Sequence, residues 1–238
     1  MDRRSFIKIC GVTAAITGLQ ARYPGMLDAA ELKEFNRVKL VDSKGQPIKA
    51  KNLATTDAYI FNYPYVSTPC FLINLGTKPV GGDKLVADNG EYTWEGGVGP
   101  NGAVVAMTAI CSHQLSYPTK DHTPISYYAT EKSELAGKSG VIVCCEHDRI
   151  YDPAKGGKMV ATSKKATQPL ASIRLEYDPA TDELYAKGVY GGARFDDFFK
   201  AYKKELMGEY GPGVAKQETK DTAAVVTLSE YSPQRDKC

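Results

Sequence analysis

The sequence has little of several features that would each indicate a particular class of protein. Net charge is only +2 at pH 7, from 30 lysines and arginines against 28 aspartates and glutamates, so no concentrated positive surface for nucleic acid is indicated. No stretch approaches 18 uninterrupted apolar residues, which excludes a polytopic membrane protein. Histidine and cysteine are scarce, with three and six residues. A site that uses two of each therefore stands out.

The N-terminus carries a pattern typical of an export signal. Residues 3–8 read R-R-S-F-I-K, which resembles the twin-arginine signal of bacteria. A weakly apolar run over residues 9–19 follows and is too short to cross a bilayer comfortably. We expect residues 1–21 to direct the folded protein to the periplasm. The segment is then either removed after Ala21 or kept as an anchor, which would associate the protein with the membrane; a buried N-terminal helix or strand is the alternative.

Most of the remaining chain has the pattern of short β-strands, and the fold class predicted is all-β. The predicted strands span residues 37–41, 58–62, 70–75, 103–110, 140–144, 171–177 and 183–187. A capping box at Asp28 and Glu31 predicts a short helix over residues 29–35. Residues 76–102 read as a loop. A helical period over residues 194–208 predicts one amphipathic helix, followed by a polar tail whose apolar run 223–228 could add a strand to a sheet edge.

Two cysteine–histidine motifs carry the chemistry. Cys111 and His113 form C-x-H, and Cys144 and His147 form C-x-x-H. Each motif follows a predicted strand, so both lie on loops that together could present two thiolates and two imidazoles to one point. Such donors suit zinc or an iron–sulfur centre. One cysteine and one histidine per loop is the pattern of a [2Fe–2S] centre in which two histidines replace two cysteines on one iron, whereas zinc sites more often pair like ligands.

The other histidine and three of the other cysteines are expected to take no part in this site. His122 lies between the motifs and is expected to be an exposed loop residue rather than a ligand. Cys70 sits in an apolar run and is expected to be a buried core thiol. Cys145 has no obvious partner in the sequence, and Cys238 is expected to be unimportant to the site.

Over about residues 55–190 the chain resembles Rieske iron–sulfur proteins, most closely the small subunits of arsenite oxidase and iodate reductase. Besides the two motifs, the resemblance is carried by Phe61-Asn62-Tyr63-Pro64, Pro69-Cys70, Gly96-Gly97-Val98-Gly99-Pro100, Tyr151-Asp152, Lys155-Gly156-Gly157 and Leu175-Glu176-Tyr177-Asp178. It implies an antiparallel β-sandwich with a small cluster-binding subdomain at about residues 109–155. It also implies that Cys111 and Cys144 hold the inner iron, and that His113 and His147 hold the outer iron.

The resemblance also implies a domain layout. Residues 1–21 would be the signal, 22–54 an N-terminal extension, 55–192 the Rieske domain, and 193–238 a C-terminal helix and tail.

The sequence departs from many Rieske proteins at two places. The disulfide that joins the cluster loops in such proteins would use positions 116 and 146, which are Ser116 and Glu146 here. High-potential members have a serine that bonds a cluster sulfide, and Arg149 stands at that position. Tyr151, which the resemblance places against a cysteine sulfur, is kept. Loss of a hydrogen bond to sulfur lowers the reduction potential, and the Arg149 charge would offset part of this.

The function that the resemblance implies is one-electron transfer within an exported molybdopterin oxidoreductase of the arsenite oxidase type. The partners would be a large molybdopterin catalytic subunit and a c-type cytochrome or similar carrier, with no nucleic acid. The chain would be the electron-transfer subunit rather than the one that converts substrate. The alternatives are the Rieske subunit of a quinol-oxidising cytochrome bc complex, a free-standing Rieske ferredoxin, and a zinc-stabilised binding domain without redox chemistry.

Overall fold

The computed structural model describes residues 32–160, 168–191 and 194–238. The export signal predicted at residues 1–21 lies outside these residues. Within them, no helix is long and apolar enough to span a bilayer.

Strands dominate the described chain, as the sequence predicts. The strands are β1 Lys33–Val41, β2 Ala58–Asn62, β3 Pro69–Asn74, β4 Lys84–Ala87, β5 Gly90–Thr93, β6 Val104–Thr108, β7 His122–Thr123, β8 Ile125–Tyr128, β9 Val141–Cys144, β10 Arg149–Asp152, β11 Lys158–Met159, β12 Ser172–Asp178, β13 Glu183–Tyr190, β14 Thr222–Ala224, β15 Val226–Thr227 and β16 Gln234–Arg235. The helices are α1 Phe195–Ala201, α2 Lys203–Tyr210 and α3 Leu228–Tyr231. Two single 3-10 turns lie at Ala50–Asn52 and Pro153–Lys155.

The largest sheet has eight strands in the order β14-β1-β13-β12-β6-β3-β2-β15. Its pairings are antiparallel except for β14, which runs parallel to β1. The two edge strands, β14 and β15, are separated in the chain by Val225 alone. Because one residue joins the two edge strands, the sheet must curl until its two edges approach each other.

A four-stranded antiparallel sheet in the order β11-β10-β9-β8 forms the smaller subdomain that carries the second cysteine–histidine motif. It packs on one face of the large sheet, and helices α1 and α2 pack on the other. Side chains in β3 alternate between the two faces, with Leu72 in the core on the helix side and Phe71 and Ile73 in the core on the subdomain side. Both faces are covered, which explains why β3 and β6 are apolar at nearly every position.

Several local predictions are corrected. The helix predicted over residues 29–35 is wrong where the structure describes it, because strand β1 begins at Lys33 and pairs with β13. The predicted loop 76–102 contains the hairpin β4–β5. The single helix predicted over residues 194–208 is broken at Tyr202 into α1 and α2. The run 223–228 does supply strands, and they complete both edges of the chain's own sheet.

Candidate metal centre

The first motif lies on a tight loop that follows β6. The backbone N–H of Cys111 donates to the Ser116 carbonyl (2.8 Å), and the N–H of Leu115 donates to the Cys111 carbonyl (2.9 Å). Leu115 takes a left-handed conformation, with φ of 70°. The loop therefore closes on itself and turns His113 away from the core, while Cys111 stays at its base.

The second motif lies on the turn of the hairpin β9–β10. Cys144 and Arg149 are paired across the two strands, so residues 145–148 make the connection. Asp148 has φ of 51°, a left-handed conformation that its short polar side chain tolerates. His147 thus projects from the turn, beside the first loop.

The two loops bring three of the four predicted ligands into one compact group. One ligand atom from each of Cys111, Cys144 and His147 lies within 4.8 Å of the others. The Nδ1 atom of His147 is 3.6 Å from the Sγ atom of Cys144. Neither cysteine is in a disulfide, and both side chains are completely buried.

His113 lies outside that compact group but next to it. Its ring centroid is 5.5 Å from that of His147, and the two rings meet edge to face at 76°. Both histidines are half-buried, in contrast to the fully buried cysteines. The arrangement has a sulfur end in the protein interior and an imidazole end at the surface.

One of the two buried thiols is prepared to lose its proton, while the other keeps it. The pKa of Cys111 is lowered by a hydrogen bond from Cys144, then by Tyr151 and by the backbone N–H groups of Gln114 and His113. The pKa of Cys144 is raised, chiefly because its thiol donates that bond to Cys111 and because it is buried. One thiolate is therefore favoured before any metal binds, and a cationic metal would favour the second.

Tyr151 and Arg149 both contact residues of the two cysteine–histidine motifs. The Tyr151 hydroxyl is 3.4 Å from Cys111 Sγ, and burial raises the tyrosine pKa, which keeps the hydroxyl protonated. Arg149 is 4% exposed. Its guanidinium donates to the carbonyls of His147 (2.9 Å) and Asp148 (3.2 Å), and its Nη2 is 3.3 Å from Nε2 of His113. Arg149 thus ties the two loops together at the imidazole end.

Sequence reasoning missed a second arginine at the site. Arg194, just before α1, donates to the backbone carbonyls of Ser112 (2.6 Å) and His113 (3.3 Å). Every residue has a backbone carbonyl, so residue type does not reveal which carbonyl an arginine contacts. Arg194 also lies about 80 residues away, so no local pattern could have indicated the contact.

Ser116 and Glu146 stand where many Rieske proteins have the inter-loop disulfide, and the departure expected from the sequence is present here. Ser116 Oγ is 3.0 Å from His147 Nδ1, and Glu146 is exposed. The expectation that Cys145 has no partner is wrong, because Cys145 is disulfide-bonded to Cys238. A covalent link therefore does reach the second loop, from the C-terminal tail instead of from the first loop.

The expectation that Cys238 is unimportant to the site is likewise wrong, because Cys238 is bonded to Cys145 in the second loop. The expectations for His122 and Cys70 agree with the structure. His122 is exposed, and its Nε2 is 2.9 Å from Asp236 Oδ1. Cys70 is buried, and its thiol donates to the Tyr63 carbonyl at 2.9 Å.

The residues present fit a [2Fe–2S] cluster better than a single ion. A single ion would be enclosed by its ligands, and three of the ligand atoms are close enough for that. His113 is outside that group, however, and the four donors divide by type into a buried thiol end and a half-exposed imidazole end. A cluster with two irons of different ligation matches this division. The backbone N–H groups that face Cys111 are also donors of the kind that sulfur ligands of such clusters accept.

Known proteins similar to this chain include a reductase subunit and a protein of known structure. The chain is 28% identical to the iodate reductase subunit IdrB of Denitromonas iodatirespirans over 202 residues, which cover 80% of this chain and 82% of that protein. It also matches the crystal structure of the soluble domain of the Rieske protein II (soxF) from Sulfolobus acidocaldarius, with a TM-score of 0.44, 24% identity, and coverage of 65% of this chain and 78% of that one. No family model matches the chain.

Proposed function

We propose that this Rieske-type [2Fe–2S] electron-transfer protein, which is similar to the small subunit of iodate reductase, serves an exported molybdopterin oxidoreductase of the arsenite oxidase or iodate reductase type. The observation that carries the proposal is the pair of buried thiols with two half-exposed imidazoles beside them. The similarity to a protein named as an iodate reductase subunit supports the class of complex.

The side chains of the site suit the transfer of electrons. When bound, the cluster accepts and releases one electron at a time. Cys111 and Cys144 would hold it on the buried side, where they keep water away, and His113 and His147 would hold it on the exposed side. The two imidazole rings then form the shortest route between the interior and a docked protein. Substrate chemistry would take place on the large partner subunit.

Two observations support export to the periplasm. The R-R-S-F-I-K pattern resembles a signal for folded proteins, which suits a chain that receives its cofactor before export. The Cys145–Cys238 disulfide suits an oxidising compartment, since cytosolic thiols are kept reduced.

The cluster itself is tested by spectroscopy on the purified chain. We expect visible absorption and an EPR signal after reduction with dithionite. Cys111→Ser and Cys144→Ser should abolish both, while Cys70→Ala, which removes a buried thiol outside the site, should keep them. A colourless protein that binds one zinc ion per chain would contradict the proposal.

The complex is tested by co-purification from the native organism. We expect a large subunit that contains molybdenum and a pterin cofactor to accompany the chain. Recovery of a cytochrome b with quinol-oxidising activity instead would favour the alternative, a subunit of a cytochrome bc complex.

A further inference from the structure

One hydroxyl beside the predicted cluster site faces two acceptors. The Tyr151 hydroxyl is 3.4 Å from Cys111 Sγ and 3.1 Å from Ser112 Oγ, and Tyr151 is completely buried. A phenol has one proton to donate. Donation to Ser112 therefore reduces donation to the cysteine sulfur.

Ser112 can only accept from Tyr151, because its own proton is already used. Its Oγ lies 2.7 Å from the backbone carbonyl oxygen of Gln168, which can accept but not donate. Ser112 is 6% exposed, so water has little access to its hydroxyl group. The hydroxyl of Ser112 must donate to Gln168, which leaves its lone pairs for the proton of Tyr151.

The acceptor of the Ser112 proton is itself held in place from outside the cysteine–histidine loops. The Gln168 side-chain amide donates to Asp88 Oδ2 at 2.9 Å, and its oxygen accepts from the Asp88 backbone N–H at 2.9 Å. This paired contact fixes Gln168 against the turn between β4 and β5. The orientation of Ser112 is thus determined by the hairpin rather than by the ligands.

Hydrogen bonds to the sulfur ligands of a cluster stabilise the reduced form, which carries more negative charge. We propose that Ser112, by competing with Cys111 for the Tyr151 proton, is a positioning residue that lowers the reduction potential of this protein. The proposal rests on the cluster being held at Cys111 and Cys144. The effect depends on which acceptor receives the hydrogen bond of the Tyr151 hydroxyl, and it requires no change in the protonation state of Tyr151 or Ser112.

A double-mutant cycle on the full chain, loaded with its cluster, tests the proposal by the midpoint potential. Ser112→Ala removes the competing acceptor, so the potential should rise. Tyr151→Phe removes the donor, so the potential should fall. In the Tyr151→Phe background, Ser112→Ala should have no further effect, since no proton is left to redirect. A role of Ser112 in loop structure alone would shift the potential equally in both backgrounds, and that result would overturn the proposal.

A second pair of variants separates the hydroxyl from the volume of the side chain. Ser112→Thr keeps the hydroxyl and should retain the wild-type potential. Ser112→Val places a side chain of the same shape as threonine there, but without the hydroxyl, and should raise the potential. If Ser112→Ala and Ser112→Val both lose the EPR signal while Ser112→Thr keeps it, Ser112 is required for cluster retention and the tuning role is wrong. Absence of any cluster signal in the wild-type protein would instead contradict the proposed function.

Discussion

Cys145, next to a predicted ligand in the second loop, is joined by a disulfide to Cys238, 93 positions further along the chain. Other contacts hold the same tail segment on the subdomain. Strand β16 pairs with β7, Arg235 donates to Ser126 (2.8 Å), and the guanidinium of Arg235 lies over the ring of Tyr128 at 3.9 Å. The tail thus takes the place of the inter-loop bridge as the covalent support of the second loop.

Removal of this disulfide should destabilise the protein. For Cys145→Ser/Cys238→Ser we expect the free energy of unfolding to fall by about 2–4 kcal/mol, because the unfolded chain gains conformational entropy when the disulfide no longer closes a long loop. Urea unfolding followed by circular dichroism measures the change. The double variant avoids leaving a free thiol beside Cys144. Wild-type protein treated with a thiol reductant provides the matched comparison, and equal stability of all three samples would contradict the prediction.

Arg149 should raise the potential through its charge. Its guanidinium contacts His113 Nε2, and a buried positive charge favours the more negative reduced form. Replacement by Met keeps the length of the side chain and removes the charge, so Arg149→Met should lower the midpoint potential by an amount on the order of tens of millivolts. Protein-film voltammetry measures it. Arg149→Lys keeps the charge and should shift the potential less; an equal fall in both variants would assign the effect to the lost contacts.

Gly156 ends the 3-10 turn after β10 in a left-handed conformation, with φ of 66°. A Cβ there would come within 2.6 Å of Trp94 Cγ and 2.9 Å of Leu85 Cδ1. We expect Gly156→Ala to cost about 2–4 kcal/mol, from the strained backbone together with overpacking. Gly137→Ala is the control, because Gly137 has φ of 65° and no atom within 4 Å of such a Cβ. It should lose only about 1 kcal/mol in thermal or urea unfolding.

Glu183 should make the protein sensitive to acid. It accepts from Lys39 (2.8 Å), Lys49 (3.3 Å) and the Tyr185 hydroxyl (2.9 Å), and the bond from Lys39 contributes most to lowering the pKa of Glu183 to about 2. A carboxyl whose pKa is lower in the folded state stabilises fully above its ordinary pKa of 4.5, and this contribution is lost as the pH falls toward 2.

Glu183→Gln should therefore show a smaller drop in Tm between pH 6 and pH 3 than the wild type. Glu34→Gln, an exposed substitution on the same sheet, is the control and should behave as the wild type. An identical drop in both variants would show that Glu183 makes no such contribution.

Local sequence patterns located most of the strands that surround the site. The prediction for residues 58–62 coincides with β2, and the predictions at 140–144 and 183–187 fall on β9 and β13. In these segments apolar residues either alternate with polar ones or follow one another without a break. Both patterns favour a strand, and the packing of the folded protein favours a strand there too. The prediction for residues 29–35 failed where described, because pairing of β1 with β13 outweighs a capping signal for a short helix. The domain boundaries stay a prediction, although β1, β14 and β15 from the flanking segments are part of the large sheet.

The sequence by itself supplied the candidate donor set, because the residue types at positions 111, 113, 144 and 147 provide two thiols and two imidazoles. The resemblance to Rieske proteins also implied that Tyr151 and Arg149 lie near these residues. Only the tertiary structure decided that the thiols are buried and the imidazoles reach the surface, that Cys145 pairs with Cys238, and that the Tyr151 hydroxyl lies between Cys111 Sγ and Ser112 Oγ. Those relationships depend on contacts between residues far apart in the chain, and periodicity and spacing describe only neighbours along it.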